Sequence, residues 1–285
     1  FGGRVLWVPW RRPGFQLGLD IAALQQANPE AVGCILGGHG ITAWGETSDD
    51  CEANSRWIID TAQAYLDAHA RPEPFGAVRT DYQALPDAER RAKAAALLPT
   101  VRGLASTDTP MIGHYTDTPE VHEFLAGADS VRLAGLGTSC PDHFLRTKVR
   151  PLLLDLPAYA SIEDTIARLQ ELHQQYRAEY ERYYAAGAAA GEARGEQVPP
   201  MRGADPAIVL VPGVGMFSFG RDKQAARIAG EYFVNAIAVM RGAEAVSSYA
   251  PIDEAEKFRI EYWALEEAKL QRLPTPKRHA TRVAF

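Results

Sequence analysis

Val32-Gly33-Cys34-Ile35-Leu36-Gly37-Gly38-His39-Gly40-Ile41-Thr42-Ala43-Trp44-Gly45-Glu46-Thr47 is the stretch that decides how this chain is read. Its apolar opening has the composition of a buried strand, its glycines make a tight turn, and Glu46-Thr47-Ser48-Asp49 opens a helix. His39, set among three glycines, lies where backbones approach closely and where an imidazole can reach out from a strand end. Two uses fit such a ring: a metal ligand, or a side chain that hydrogen-bonds within the turn. One histidine does not make a zinc site, so the surroundings must choose between them.

Downstream, Thr47 and Asp50 form a variant of the capping box. Ala53, Trp57, Ile58, Thr61, Ala62 and Tyr65 then follow at the spacing of a core-facing helix. Its outer side carries Glu52 and Arg56 as an i,i+4 pair. Upstream, Val5, Leu6 and Val8 predict a short strand, and Arg11-Arg12-Pro13-Gly14 predicts a turn whose arginines suit either a phosphate or a solvated ion pair. A helix is expected from Gly18 to Ala27, ending before Asn28-Pro29.

The same pattern returns. Shifting by 175 positions lays Gly38 on Gly213, Gly40 on Gly215, Trp44 on Phe219 and Gly45 on Gly220. Within the helix, Ala53, Trp57, Ile58, Ala62 and Tyr65 fall on Ile228, Tyr232, Phe233, Ile237 and Met240. Self-similarity over strand, turn and helix predicts a duplicated unit. His39 falls on Val214, which has no lone pair to donate, so the second copy is expected to be structural and the first chemical.

Between the copies, residues 71–118 read as a proline-marked helical linker containing a helix from Pro86 to Leu98, then a loop and a polar stretch. A short helix around Val121–Leu125, a strand at Ser130–Ala134 and a strand at Leu152–Leu154 are expected next. The segment Thr138-Ser139-Cys140-Pro141-Asp142-His143 precedes alternating Arg146, Lys148 and Arg150. That pattern fits an anion site or the charged outer face of an edge strand. Ser161 and Asp164 cap a long helix that should fade between Ala185 and Gly195, and Asp253 opens a last helix running to Leu270.

The chain has 285 residues, 46% of them apolar, and a net charge of −6. That is enough for a sizeable core and argues against nucleic acid as a partner. Three cysteines, Cys34, Cys51 and Cys140, in apolar or helical settings suggest reduced thiols and a cytoplasmic protein. No apolar run has the length of a membrane span and no signal segment opens the chain.

Leu36-Gly37-Gly38-His39-Gly40-Ile41 with Trp44-Gly45-Glu46-Thr47 resembles the late glycine-histidine-glycine motif of the class II aldolase/adducin family. Pro9 to Phe15, Ser139-Cys140-Pro141-Asp142-His143 with Arg146-Thr147-Lys148, and Pro212 to Phe217 extend the likeness to bifunctional rhamnulose-1-phosphate aldolase/short-chain dehydrogenase proteins. The resemblance implies a layered α/β/α fold around a central mixed or antiparallel sheet, present as a partial first copy and a degenerate second one. It implies zinc-dependent cleavage of L-rhamnulose 1-phosphate to dihydroxyacetone phosphate and L-lactaldehyde, with a fused domain oxidising the aldehyde with NAD. His39 matches the family's later zinc ligand. Gly38, Gly40, Ser139, Arg146 and Lys148 are the expected contacts to the sugar phosphate, and a homo-oligomer is expected.

The chain departs from that family in lacking a His-x-His pair. The pair and the acid/base glutamate are expected before Phe1, and residues 1–285 by themselves are expected to be inactive. The expected division is an aldolase-like part at 1–70, the linker at 71–118, the degenerate unit at 119–274, and at 275–285 a linker and first strand of a dehydrogenase. The contrasting expectations are a non-catalytic adducin-like assembly module and a scaffold for the dehydrogenase.

Overall fold

The computed structural model describes residues 1–272, apart from the side chain of Gln271. The expected linker and dehydrogenase strand at 275–285 lie outside the described residues. The first unit runs β1 (Val5–Val8), α1 (Phe15–Ala27), β2 (Gly33–Leu36), β3 (Gly40–Ala43) and α2 (Ser48–His69). The second begins with α3 (Asp87–Leu104), β4 (Ile112–Thr116), α4 (Pro119–Ala126), α5 (Ser130–Leu136) and α6 (Phe144–Thr147). It continues through β5 (Leu152–Leu153), α7 (Ile162–Ala193), β6 (Ile208–Val211), β7 (Gly215–Gly220), α8 (Lys223–Val246), α9 (Glu254–Glu261) and α10 (Ala264–Arg272).

Each unit has its own mixed sheet, ordered β1-β2-β3 in the first and β4-β7-β6-β5 in the second. The duplication holds at the level of register. Gly33 pairs with Ala43 and Leu36 with Gly40; 175 positions on, Ile208 pairs with Ser218 and Val211 with Gly215. Trp44 N–H donates to Val32 O at 3.0 Å, and Phe219 N–H donates to Ala207 O at 2.8 Å. The preceding strands match too: Leu6 lies parallel beside Cys34, and Leu152 beside Val209.

Period-two alternation gives the second sheet two buried faces. Ile208 and Leu210 pack on Phe233, Ile237 and Met240 of α8 and on Val121, Phe124 and Leu133 of α4 and α5. Val209 and Val211 pack on Leu97 and Val101 of α3 and Leu169 of α7. These layers are the mixed α/β arrangement expected, and each fully buried Leu, Ile or Phe contributes about 1.5–3 kcal/mol. The first sheet is covered by α1 through Leu17, Cys34 and Leu36, and on its other side by α2, where Ile58 closes on Gly33.

Several local expectations change. Residues 130–134 form a helix rather than a strand, because Ser130, Leu133 and Ala134 share one buried face while Val131 stays exposed. The stretch expected as a linker supplies α3 and β4, both packed into the second unit, since β4 lies antiparallel to β7. Helix α7 continues to Ala193, and the last helix is broken at Tyr262 and Trp263 into α9 and α10. The caps are as read: Thr47 and Asp50 make a reciprocal capping box, Ser161 accepts from Asp164 N–H, and Arg56 pairs with Glu52 at 2.7 Å.

Candidate functional site

His39 stands at the turn between β2 and β3. The turn itself is made by backbone: His39 N–H donates to Leu36 O at 3.0 Å, and Gly38 takes φ 65°, where a side chain would run into Ile252. Val214 repeats this without a ring, its N–H donating to Val211 O at 3.0 Å behind Gly213 at φ 70°. The imidazole is therefore not what holds the turn. Its Nδ1 is buried and has no hydrogen-bond partner among the described residues. Leaving such a nitrogen unsatisfied costs about 1–3 kcal/mol, so the ring is a free donor or acceptor kept at structural expense.

His39 lines a cleft of about 660 Å3 between α2 and α8, floored by β2 and β3. Gly38, Gly40 and Ser139 line it as well, so these expected contacts do come together with His39. Cys140 also reaches the cleft, its Sγ 4.0 Å from His39 O. Burial pushes the Cys140 thiol up, which keeps it protonated at neutral pH. Tyr249, on the far wall, donates its hydroxyl to Gly137 O at 2.8 Å, and burial pushes its phenol up to about 12.

Arg146 and Lys148 do not join this group. The Arg146 guanidinium lies 5.2 Å over the ring of Tyr232. Lys148 is buried elsewhere, its Nζ donating to Gly203 O at 2.7 Å and sitting 3.9 Å over the ring of Tyr180. Burial pulls that amine down to about 8, with Glu261 opposing. Lys148 also has φ 56° and ψ −176°, a backbone region that favours glycine. The alternating basic residues thus follow separate anchors instead of one anion site.

Two other polar clusters escaped the sequence because their members are far apart along the chain. In one, Asp205 accepts from Thr107 and His173 at 2.6 and 3.0 Å, tying the end of α3 to α7. In the other, Asp117 bonds to His122 and Arg90, and the Tyr82 hydroxyl meets His122 Nδ1 at 3.2 Å. Neither gathers metal donors: among the described residues no group of three or more His, Cys, Asp or Glu is placed to hold an ion. His39 suits zinc in ligand type and in its unpartnered nitrogen, and it offers one donor.

Residues 92–270 match the family described as aldolase class II, second domain, and residues 1–66 match the class II aldolase and adducin N-terminal domain. The chain belongs to the class II aldolase/adducin family. Among individual proteins it is similar to the uncharacterized oxidoreductase YuxG of Bacillus subtilis (strain 168), with 33% identity over 287 residues. That alignment covers all of this chain and 40% of the relative's length. No solved structure matches. No helix among the described residues is long and apolar enough to cross a membrane.

Proposed function

We propose that this chain is the later part of a zinc-dependent class II aldolase that cleaves L-rhamnulose 1-phosphate to dihydroxyacetone phosphate and L-lactaldehyde. The aldehyde would pass to a dehydrogenase domain that uses NAD, in a cytoplasmic homo-oligomer. The observation that carries the proposal is His39, which lines the cleft and has a buried Nδ1 without a hydrogen-bond partner among the described residues, at a turn that needs no side chain. The likeness to a longer oxidoreductase supports the fused dehydrogenase.

In this reading His39 holds the metal, and the remaining donors and the acid/base glutamate belong to polypeptide preceding Phe1. Bound zinc supplies Lewis-acid polarisation of the substrate's oxygens. Gly38 and Gly40 let the sugar backbone approach the turn, Ser139 offers a hydroxyl from another wall, and Ile35, Ile41 and Ile58 give the cleft an apolar lining. Zinc per protomer, measured in the full-length protein before and after His39→Val, tests this. Loss of zinc is expected, with the two metal-free proteins melting at about the same temperature, and unchanged zinc would falsify the assignment.

A second reading is favoured by the second unit, which keeps the same fold with Val214 in place of histidine. In that reading the first unit is an adducin-like assembly module. Full zinc occupancy that survives His39→Val, together with unchanged subunit assembly, is the result that would select it.

A further inference from the structure

We infer that the cleft between the start of α1 and the break between α9 and α10 is a second ligand site, which takes a phosphate monoester carrying a flat ring, as a nucleotide does. It shares no lining residue with the His39 cleft, so the inference rests neither on zinc nor on the aldolase reading.

The cleft has a volume of about 610 Å3, which is the size of a small-molecule site. Arg11, Arg12 and Arg259 line it with Glu256, so its lining is positive in a chain whose net charge is −6. Of the two uses read from the sequence for the Arg11-Arg12 turn, the ion pair describes Arg11, whose guanidinium meets Asp20. Arg12 is different. Its Nε stands 4.0 Å from Glu256, beyond hydrogen-bond reach, and Glu256 already accepts from Trp10 Nε1 at 3.1 Å and Arg259 Nη1 at 2.6 Å.

Arg259 has a buried Nε with no acceptor among the described residues, and its Nη2 lies 3.6 Å from Glu196. Burial, and after it the charge of Arg259, pull the Arg12 guanidinium below its usual value against the opposing Glu256 and Glu196. Across the cluster, Arg11, Arg12, Arg194 and Arg259 stand against Asp20, Glu196 and Glu256, which leaves one positive charge over. Neighbouring guanidiniums with incomplete partners suit a phosphate, whose oxygens can accept from both forks at once. The start of α1 adds to them: Gly14 supplies no side-chain cap and no acid lies in the first turn, so main-chain N–H groups stay open beside the cleft.

The rings divide the work. Trp263 has the Arg12 guanidinium 5.7 Å over its face, a cation–π contact that orients the fork. Phe15 lines the same cleft and is 84% exposed, so most of its ring is left bare. A bare aromatic face beside a guanidinium cluster is the arrangement that stacks a base while the cations hold its phosphate. The phosphate is therefore assigned to Arg12 and Arg259, and the ring of the ligand to Phe15.

The test is calorimetric titration of the full-length protein with AMP and with ribose 5-phosphate. AMP should bind about tenfold or more tightly than ribose 5-phosphate, because only AMP has a base to stack. Arg12→Gln should weaken both ligands about tenfold or more, and Arg12→Lys, which keeps the charge without the fork, should fall between. Phe15→Ala, at a bare position, should bring AMP down to the affinity of ribose 5-phosphate and leave the latter unchanged. AMP should also slow hydrogen exchange at residues 15–20 and 256–263 in the wild type and not in Arg12→Gln. AMP binding that both Arg12→Gln and Phe15→Ala leave unchanged would belong elsewhere in the protein and would overturn the inference. Equal affinities of the two ligands for the wild type would overturn it as well.

Discussion

His39 and Val214 occupy the same corner of two superimposable turns, each donating its N–H at 3.0 Å to the carbonyl three residues earlier. One side chain carries a nitrogen without a partner and the other carries only methyl groups. From this follows the first prediction. His39→Val should keep the fold and leave stability unchanged or raise it by about 1 kcal/mol, because an unsatisfied buried group is removed. Denaturant unfolding of both forms without added metal checks this, and a loss of more than about 2 kcal/mol would mean that the ring has a packing role.

Gly38 and Gly40 flank the same residue but differ in tolerance. Gly38 has φ 65° and faces Ile252, whereas a side chain at Gly40 meets nothing within 4 Å. Gly38→Ala should cost about 1–2 kcal/mol from backbone strain, with packing added, and Gly40→Ala should be close to neutral. Thermal melts of the two variants side by side make the comparison.

Asp205 is buried, which by itself would push its carboxyl up, yet hydrogen bonds from His173, Thr107 and the Asp108 N–H, with Arg177, hold it well below the usual range. A carboxyl with a depressed folded pKa contributes stability above its unfolded pKa and loses it as pH falls through the folded value. Asp205→Asn should therefore destabilise the protein at pH 7 by about 3–5 kcal/mol. The gap to wild type should close steadily below about pH 4. A gap that stays constant from pH 7 to pH 3 would rule out the charge as the source.

Lys148 and Lys257 behave in the opposite sense. Burial pulls each ammonium down to about 8, although each donates to a backbone carbonyl, Gly203 O and Leu136 O. Between pH 8 and the unfolded lysine pKa near about 10.4 the unfolded chain binds more protons, so stability contributed by these sites should rise with pH. Urea unfolding at pH 8 and pH 9.5 should show a gain on the order of 1 kcal/mol per lysine. Lys148→Met and Lys257→Met should each flatten it.

Much of the first unit could be read locally. The strand-turn-helix from Gly33 to His69 and its repeat were visible because spacing along the chain carries them, and the cap at Thr47 is a contact across three residues. The corrections came where tertiary packing overrides local pattern. Ser130–Ala134 has strand-like composition, but Leu133 and Ala134 are drawn onto α8, and that burial winds the segment into a helix. Residues 112–116 read only as part of a polar stretch because β4 is recognised by its pairing with β7, about 100 positions away. Arg146 and Lys148 alternate in sequence as an anion site would, yet Tyr232 and Tyr180 draw them to different places. The cleft around His39 could not be seen from spacing, since its far wall comes from α8.

The corner shared by His39 and Val214 also bears on how such a chain can change. Because main-chain atoms close both turns, the residue at the tip can be exchanged without re-pairing a strand or repositioning a helix. Chemistry and architecture are uncoupled there: one copy can retain a reactive ring while its twin, free of that duty, drifts to a hydrocarbon and becomes part of the core.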